Sequence, residues 1–234
     1  MIAIIDYGAG NLRSVAKAFE SLGYASHITT SHQDLEKSAA IVLPGVGAFG
    51  DGMANLERLG LIEVLNQQVL VQKKPYLGIC LGMQFLAEES LEHGSHRGLG
   101  WIPGVVRKIV PMDAAYRIPH IGWNNISFQD GSPLFLNLEA EPVFYFVHSY
   151  HMVLQENNCH YITSTCWHGT TITASVQKEN IFGVQFHPEK SQRTGMTLLS
   201  NFAKIVYGEH RDAQKTPHTS PDFARWDGGS KCKV

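Results

Sequence analysis

The sequence predicts an α/β protein whose doubly wound, mostly parallel sheet is flanked by helices and includes some antiparallel strands. First, short apolar runs alternate with helix-like stretches over about the first 90 residues, which is the βαβ rhythm of a parallel sheet. Second, Gly78, Cys80 and Gly82 mark a sharp turn from an apolar strand into a helix. Third, several short strand-like runs follow residue 100, which favours added antiparallel strands.

The first half of the chain is predicted as strands that are each followed by helical segments. Met1–Ile5 is wholly apolar, as expected of a buried first strand, and Gly23 closes the helix that follows. Ser31 and Asp34 indicate an N-cap for a short helix that ends near Ser38. The expected strands are Met1–Ile5, Ala25–Ile28, Ala40–Leu43 and Pro75–Ile79. The other expected helices are Leu12–Ser21, Met53–Leu59, Leu61–Gln72 and Leu81–Glu89.

The second half is predicted to be richer in strands and to close with one helix, Leu198–Tyr207. The expected strand-like segments are Trp101–Val110, Ile126–Phe128, Pro142–Val147, His160–Trp167, Thr171–Gln177 and Ile181–Phe186. We expect one domain over residues 1–208. The polar, Pro-, Ser- and Thr-rich tail at 209–234 has the composition of a flexible extension, although a docking segment is an alternative.

Composition argues against several classes of partner. The chain has 19 Lys and Arg against 21 Asp and Glu, a net charge of −2, so we expect neither nucleic acid nor a membrane as a partner. No apolar run approaches the roughly 18 residues of a spanning helix, and the N-terminus lacks the basic region of a signal peptide. We therefore expect a cytoplasmic protein in which Cys80 stays a free thiol. The spacing of Cys80, Cys159, Cys166 and Cys232 fits neither zinc nor CxxC chemistry, so no metal or cofactor is expected.

Cys80 is the candidate nucleophile. It follows an apolar strand and lies between Gly78 and Gly82, as in a nucleophile elbow, where the strained corner residue needs small neighbours. The helix expected after Cys80 would direct backbone N–H groups toward the sulfur and favour thiolate. A buried cysteine in a glycine-rich turn is the alternative reading of this motif alone.

His187 and Glu189 are the candidate base and orienting acid. They follow the apolar strand Ile181–Phe186, and Pro188 between them ends the strand pairing, so both side chains can face the end of the sheet. A cysteine nucleophile requires a base to take its proton and a third group to hold that base. By itself, His187 could be an ordinary structural histidine, since the chain contains 12.

These motifs together resemble the class I, or triad, glutamine amidotransferases. The segments that carry the likeness are Gly78-Ile79-Cys80-Leu81-Gly82-Met83-Gln84 and Phe186-His187-Pro188-Glu189. Five further segments resemble the HisH family, the glutaminase subunits of imidazole glycerol phosphate synthase, and the matches run in family order over about residues 1–207. They are Asp6-Tyr7-Gly8-Ala9-Gly10-Asn11-Leu12, Leu43-Pro44-Gly45-Val46-Gly47, Pro119-His120-Ile121-Gly122-Trp123-Asn124, Tyr145-Phe146-Val147-His148-Ser149-Tyr150 and His187-Pro188-Glu189-Lys190-Ser191.

The resemblance implies a class I amidotransferase fold and hydrolysis of L-glutamine to L-glutamate and ammonia through a Cys80 thioester. The expected oxyanion donors are the backbone N–H groups of Leu81 and Val46, with Gly45 and Gly47 giving the second loop freedom to flip. The amino-acid end of glutamine is expected to bind the side chains of Gln84 and Glu92 and backbone of the segment 148–150, that is His148, Ser149 and Tyr150. Gln84 lies one helical turn beyond Cys80 and can reach the same pocket.

The resemblance also implies a partner that uses the ammonia. HisH subunits pair with HisF, a (β/α)8 cyclase, so we expect a heterodimer with a HisF-type barrel that stimulates a weak glutaminase. The residues that match the docking face are Asn11, Trp123, Tyr145 and Lys190. Without the resemblance, Trp123 could be a core aromatic residue and Lys190 a plain surface charge.

Three other functions remain open from the sequence. A HisH paralogue could perform the same chemistry but supply ammonia to a sugar amidotransferase in surface-polysaccharide synthesis. A non-catalytic binding or regulatory subunit could share the fold, although all three triad positions are filled. A cysteine peptidase or esterase is disfavoured by Gln84 and by the HisH-like segments.

Overall fold

The computed structural model describes residues 1–208, in which strands and helices alternate from the first residues onward. The strands are β1 (Ile2–Ile5), β2 (Ser26–Thr29), β3 (Ala40–Gly45), β4 (Tyr76–Cys80), β5 (Glu89–Ser90), β6 (His96–Arg97), β7 (Val105–Lys108), β8 (His120–Asn125), β9 (Ser127–Phe128), β10 (Val143–His148), β11 (Tyr150–Val153), β12 (Ile162–Trp167), β13 (Thr171–Lys178) and β14 (Ile181–Val184). The α-helices are α1 (Leu12–Ser21), α2 (His32–Lys37), α3 (Phe49–Arg58), α4 (Leu61–Leu65), α5 (Leu81–Gln84) and α6 (Gln192–Tyr207). A π-helical segment (Asn66–Val71) and 3₁₀ turns (Pro133–Phe135, Glu156–Tyr161, Pro188–Lys190) complete the helical structure described.

The strands form one large sheet and two small ones. The large sheet has eight strands in the order β2-β1-β3-β4-β14-β13-β12-β9. The first five strands of this order pair in parallel, and the pairings from β14 to β13, β13 to β12 and β12 to β9 are antiparallel. β8 and β10 form a two-stranded antiparallel sheet, and β11, β7, β5 and β6 form a third sheet. The carboxyl ends of β3, β4 and β14 meet side by side, the position at which such sheets bind ligands.

Two apolar layers cover the faces of the large sheet because strand side chains alternate. Ile2 and Ile4 of β1 belong to one core cluster, with α1 and α6, whereas Ala3 and Ile5 belong to the other, with α3 and α4. Each fully buried isoleucine contributes roughly 2 kcal/mol through burial. The first core also takes in the inward-facing phenylalanines of β10, so the small β8–β10 sheet is attached to the main body by apolar packing.

The predicted fold class is confirmed, and most of the predicted elements are present, but four helix predictions were partly wrong. The helix expected over Leu61–Gln72 is α-helical only over Leu61–Leu65 and continues as the π-helical segment Asn66–Val71. α5 ends at Gln84, although we expected it to reach Glu89: the N–H groups of Leu86 and Ala87 donate three residues back, to Met83 and Gln84, and that of Glu88 donates to the carbonyl oxygen of Gly104. α3 begins at Phe49 rather than Met53, and α6 begins at Gln192 rather than Leu198.

Some strands were missed or misplaced. The short strands β5, β6, β8 and β11 were not predicted as separate elements, and the segment expected at Trp101–Val110 is a strand only over Val105–Lys108. The tail at 209–234 lies outside the described residues. Over residues 1–208, no helix combines the length and apolarity needed to cross a bilayer.

Candidate active site

Cys80 occupies a strained corner between β4 and α5. Its backbone angles are φ 55° and ψ −106°, a left-handed conformation that is uncommon for a residue with a side chain. Its glycine neighbours are required by close packing, since a Cβ atom at Gly78 would collide with the carbonyl oxygen of Gly82. A Cβ atom at Gly82 would in turn collide with the carbonyl oxygen of Leu43 in β3. The structure therefore has the geometry of a nucleophile elbow.

The expected contribution of a long helix dipole to this corner is small. α5 has only four residues, so few aligned peptide dipoles follow the cysteine. The polar groups near the sulfur come instead from the neighbouring strand ends. Gly45 of β3 is in register with Cys80, and Ile79 is in register with Val184 of β14.

His187 and Glu189 form the predicted pair at the end of β14. The Nδ1 atom of His187 lies 2.9 Å from Oε1 of Glu189, and the two side chains are 2% and 1% exposed. This bond fixes the ring so that Nε2, which is buried without another formed hydrogen bond, remains for Cys80. Burial lowers the pKa of His187, but the interactions with Cys80 and Glu189 outweigh it and raise the pKa to about 10. The pair can therefore hold the proton that the Cys80 thiol gives up.

A fourth polar residue, Gln185, contacts the nucleophile and was missed at the sequence level. Its side-chain Nε2 donates to Sγ of Cys80 at 3.6 Å, and the residue is fully buried. Gln84 donates to Oε1 of Gln185 at 3.0 Å. Period-two alternation along the strand could have indicated Gln185, because it lies two residues before His187 and thus on the same side.

A cavity of about 480 Å³ opens beside Cys80. Its lining includes every residue proposed for substrate or oxyanion binding except Gly45, namely Val46, Gly47, Leu81, Gln84, Glu92, His148, Ser149 and Tyr150. Four further residues also line it and were not foreseen: His93, Lys108, Pro119 and Val147. Lys108 and Glu92 bring opposite charges to one cavity, as a zwitterionic amino acid requires.

Gly45 has a different role from the one expected. Instead of providing freedom, it ends β3 in a crowded place: a Cβ atom there would collide with the Tyr7 hydroxyl and lie 2.9 Å from Cβ of Leu81. The Tyr7 hydroxyl is buried without a hydrogen-bond partner, and burial, with a smaller effect of Cys80, raises its pKa. Gly47 has φ 100° and open space around it, so the conformational freedom of this loop resides there.

Glu92 touches both the cavity and the loop that carries Val46. Its Oε2 accepts a hydrogen bond from the backbone N–H of Phe49 at 2.7 Å. Phe49 is the first residue of α3, which directly follows the loop, so the carboxylate satisfies an otherwise free N–H at the helix N-terminus. The carboxylate of Glu92 therefore both lines the substrate cavity and holds the end of the loop that carries Val46.

Three of the four residues expected at a partner face, Trp123, Tyr145 and Lys190, lie together in an exposed patch at the β8–β10 sheet. Trp123 is 50% exposed, pairs in register with Tyr145 and meets it edge to face, with ring centroids 5.8 Å apart. The Nζ atom of Lys190 lies 5.7 Å from the centroid of the Tyr145 ring, a cation–π geometry. Asn11 precedes α1, which packs against the Pro188–Lys190 turn.

This outer patch is bonded directly to the candidate base. The backbone N–H of His187 donates to the carbonyl oxygen of Tyr145 at 2.9 Å. The N–H of Tyr145 donates to Oγ of Ser191 at 3.0 Å, and that hydroxyl donates to the His187 carbonyl oxygen at 2.6 Å. A displacement of β10 therefore moves the backbone of the base. Residues 1–208 contain no cluster of three or more His, Cys, Asp or Glu arranged to hold a metal ion.

Comparisons with known proteins agree with this geometry. Residues 3–206 match the family model described as glutamine amidotransferase class-I. The chain is 48% identical over 205 residues to imidazole glycerol phosphate synthase subunit HisH 1 of Campylobacter jejuni, covering 88% of this chain and 100% of that one. It is 44% identical over 205 residues to subunit HisH of Moorella thermoacetica, covering 88% of this chain and 95% of that one.

Solved structures show the same fold at low sequence identity. PurLQS from Thermotoga maritima aligns with a TM-score of 0.68 and 17% identity, over 88% of this chain and 98% of that chain. A solved glutamine amidotransferase also aligns with a TM-score of 0.68, at 16% identity, over 88% of this chain and all of that chain.

Proposed function

This chain belongs to the class I glutamine amidotransferase family and to its HisH branch, and from that premise we propose that it is the glutaminase subunit of an imidazole glycerol phosphate synthase. It hydrolyses L-glutamine to L-glutamate and ammonia, and a HisF-type (β/α)8 cyclase uses the ammonia in histidine biosynthesis. The observation that carries the proposal is the assembled triad: Cys80 on a strained elbow with the buried His187–Glu189 pair beside it. A cytoplasmic location fits a biosynthetic enzyme of this kind.

The reaction begins with attack of the Cys80 sulfur on the side-chain carbonyl carbon of glutamine. His187 holds the proton taken from the thiol, and Glu189 keeps the ring oriented and stabilises its charge. As the tetrahedral intermediate collapses, His187 returns that proton to the leaving nitrogen, and ammonia departs to leave a glutamyl thioester. Water then attacks the thioester, with His187 as the base, to release glutamate and the free thiol.

The tetrahedral oxyanion is stabilised by backbone donors at the mouth of the cavity. The N–H of Leu81, directly after the nucleophile, is the first of them. The N–H of Val46 is the second, carried by the loop between β3 and α3. Removal of one such donor costs about 3 kcal/mol of transition-state stabilisation.

The cavity orients glutamine by its charged end. Glu92 takes the α-ammonium, Lys108 takes the α-carboxylate with the backbone of segment 148–150, and Gln84 closes the wall nearest Cys80. The opposite charges recognise a zwitterion, so asparagine and glutamate should be poor substrates. A shorter side chain fails to reach the sulfur, and a carboxylate would be repelled by it.

The cyclase docks on the exposed patch formed by Trp123, Tyr145 and Lys190, with Asn11 at its edge. Large aromatic residues and a cation–π pair are typical anchors of such interfaces. The backbone of Tyr145 is hydrogen-bonded directly to His187 and, through Ser191, to the same residue a second time. A partner that docks on Tyr145 can therefore shift the position of His187. We therefore expect weak activity alone and strong stimulation in the complex.

The test is glutamate release from glutamine by the chain alone and then with a HisF-type barrel from the same genome and its nucleotide substrate. Cys80→Ala should abolish release in both assays, whereas Cys166→Ala, a change at a buried cysteine of β12 away from the cavity, should not. Strong stimulation that depends on Cys80 supports the proposal. A chain that responds only to a sugar amidotransferase would be the paralogue instead, and a chain that releases no glutamate with any acceptor would contradict the glutaminase assignment.

A further inference from the structure

Gln185 is buried against the nucleophile, and the triad chemistry described above gives it no part. Its carboxamide nitrogen lies 3.6 Å from the Cys80 sulfur, an ordinary length for an N–H···S hydrogen bond. Val184 of β14 is in register with Ile79 of β4, and Gln185 and Cys80 are the residues that follow them. Gln185 therefore comes directly after the strand pairing that places the elbow.

The orientation of this carboxamide is set by its neighbours. Gln84 has two N–H groups, and both are used: one donates to the carbonyl oxygen of Tyr150 at 2.9 Å and the other to Oε1 of Gln185 at 3.0 Å. A backbone carbonyl can only accept, so the amide of Gln84 must present its nitrogen to both partners. Oε1 of Gln185 is then the acceptor, and its nitrogen must face the sulfur.

The same reasoning assigns donors and acceptors to the hydrogen bonds that continue from Tyr150 toward β8. The Tyr150 carbonyl also accepts from Nδ1 of His148 at 2.8 Å, which leaves Nε2 of that ring as an acceptor for Nδ1 of His120 at 3.1 Å. Nε2 of His120 accepts from the side-chain nitrogen of Asn124 at 3.2 Å. An unbroken series of hydrogen bonds therefore joins Asn124 on β8, the residue after Trp123, to the nucleophile.

An N–H donor acts on a cysteine nucleophile in two ways. It bonds a thiolate more strongly than a thiol, because a charged acceptor forms the stronger hydrogen bond. It also holds the sulfur in one rotamer, so that the attacking atom faces the cavity. His187 supplies one contact to the sulfur, and Gln185 supplies a second from a neutral group that cannot titrate.

We propose that Gln185 is a positioning residue for catalysis, which orients and stabilises the thiolate of Cys80 through its side-chain N–H and is itself held by Gln84. The proposal rests on the assignment of Cys80 as nucleophile in the proposed function. The titratable groups beside the sulfur are His187 and Tyr7, and those that line the cavity are Glu92, His93, Lys108, His148 and Tyr150; the variants below leave all seven unchanged.

The test replaces Gln185 by Met and measures the rate at which iodoacetamide alkylates Cys80, followed by mass spectrometry of its peptide across pH. Loss of a hydrogen bond to a charged sulfur should lower the rate at pH 7 by about tenfold and move the pH profile to higher pH. With glutamine and the cyclase, kcat should fall by a similar factor while KM stays near its original value. Gln177→Met, at a partly exposed carboxamide on β13, is the matched control and should change neither quantity.

Gln185→Glu is a sharper variant because it keeps the size of the side chain and the acceptor for Gln84 but presents an oxygen to the sulfur. It should slow alkylation more than Gln185→Met does. A wild-type alkylation profile and wild-type kcat in either folded variant would overturn the proposal.

A measurement on the unaltered chain does not depend on variants that fold. The side-chain ¹⁵N–H signal of Gln185 should shift when Cys80 is alkylated, and an unchanged signal would contradict the contact. Alkylation requires neither glutamine nor a partner, so it tests the role of Gln185 independently of the proposed glutaminase function. A chain that releases no glutamate can still show the dependence on Gln185, and an active chain can lack it.

Discussion

The left-handed backbone of Cys80 is stabilised by its surroundings at the scale of single residues. The chain has no room for a side chain at Gly78 or Gly82, because each faces a carbonyl oxygen of a neighbouring segment. The strain of a non-glycine residue at φ 55° costs of the order of 1 kcal/mol and is retained because the packing on both sides leaves no alternative. The motif could be predicted from sequence because the two glycines and the cysteine lie within one run of five residues, although the Leu43 carbonyl that Gly82 faces is distant in sequence.

Substitution of Gly82 by Ala tests that packing. The new Cβ would collide with the Leu43 carbonyl oxygen, a backbone atom that cannot move aside, so we expect a loss of at least about 3 kcal/mol in the free energy of unfolding. Urea unfolding followed by circular dichroism would measure it. Gly23→Ala, at a left-handed position with open space around it, should cost only about 1 kcal/mol. A loss in Gly82→Ala no larger than that in Gly23→Ala would contradict the collision with the Leu43 carbonyl.

Lys108 shows a role that the sequence could not indicate. Its position on β7 has no motif around it, and only the fold places it in the cavity opposite Glu92. Lys108→Met should raise KM for glutamine by about tenfold, because one charged contact to the α-carboxylate is lost, and should leave kcat nearly unchanged. Steady-state kinetics in the complex would measure both constants. Arg107→Met is the matched control, since the neighbouring residue on a strand faces the opposite side.

At the scale of the element, helix boundaries depended on contacts that are distant in sequence. α3 begins at Phe49, four residues before our prediction. The cause is Glu92, which lies 43 residues further along the chain and accepts a hydrogen bond from the N–H of Phe49. α6 begins at Gln192 and so includes Gly195, a residue that weakens a helix. Glycine is required at this position because a side chain would collide with the carbonyl oxygen of Pro188. Local propensity contains neither cause. The parallel strands β1, β3 and β4 were predicted well because their wholly apolar runs are a local property.

The N-terminus of α3 provides a test that separates two roles of Glu92. Glu92→Gln keeps an oxygen that can accept from Phe49 but loses the charge, whereas Glu92→Ala loses both. We expect both variants to raise KM for glutamine, through the lost contact to the α-ammonium. Only the alanine variant should also lose about 1 kcal/mol of stability, which is the usual value of a helix cap. If both variants unfold alike, the contact to Phe49 contributes nothing to stability.

At the scale of the whole molecule, buried histidines should make the protein sensitive to acid. Burial lowers the pKa of His120 and His151 to about 4 and that of His148 to about 3, with neighbouring histidines adding to the effect at His120 and His148. Unfolded imidazoles bind protons below about pH 6.5, so between that value and pH 4 the unfolded state holds more protons. The free energy of unfolding should therefore fall as pH falls through this range. His187 acts oppositely: its raised pKa adds stability below pH 6.5 that is lost as pH rises through about 10.

Urea unfolding at pH 7 and pH 5 would measure this dependence. One imidazole with a pKa near 6.5 when unfolded and near 4 when folded accounts for roughly 2 kcal/mol at pH 5. His151→Leu should therefore make the loss between the two pH values smaller by about that amount. His160→Gln, at an exposed histidine, should leave the loss unchanged. An identical loss in the His151 variant would show that this ring is not the source.

The attachment of the β8–β10 sheet has a consequence for how copies of such a gene diverge. Its inward residues pack against Phe186, the residue before His187: Phe144 stacks on that ring with centroids 3.9 Å apart, and Phe146 meets it edge to face at 5.6 Å. Its outward residues, among them Trp123 and Tyr145, alternate with them and reach solvent. A duplicated gene can accumulate substitutions at the outward set, and so adopt a different acceptor for its ammonia, while the inward set stays constrained by the chemistry. Partner choice and catalysis can thus evolve at different rates within one short ribbon.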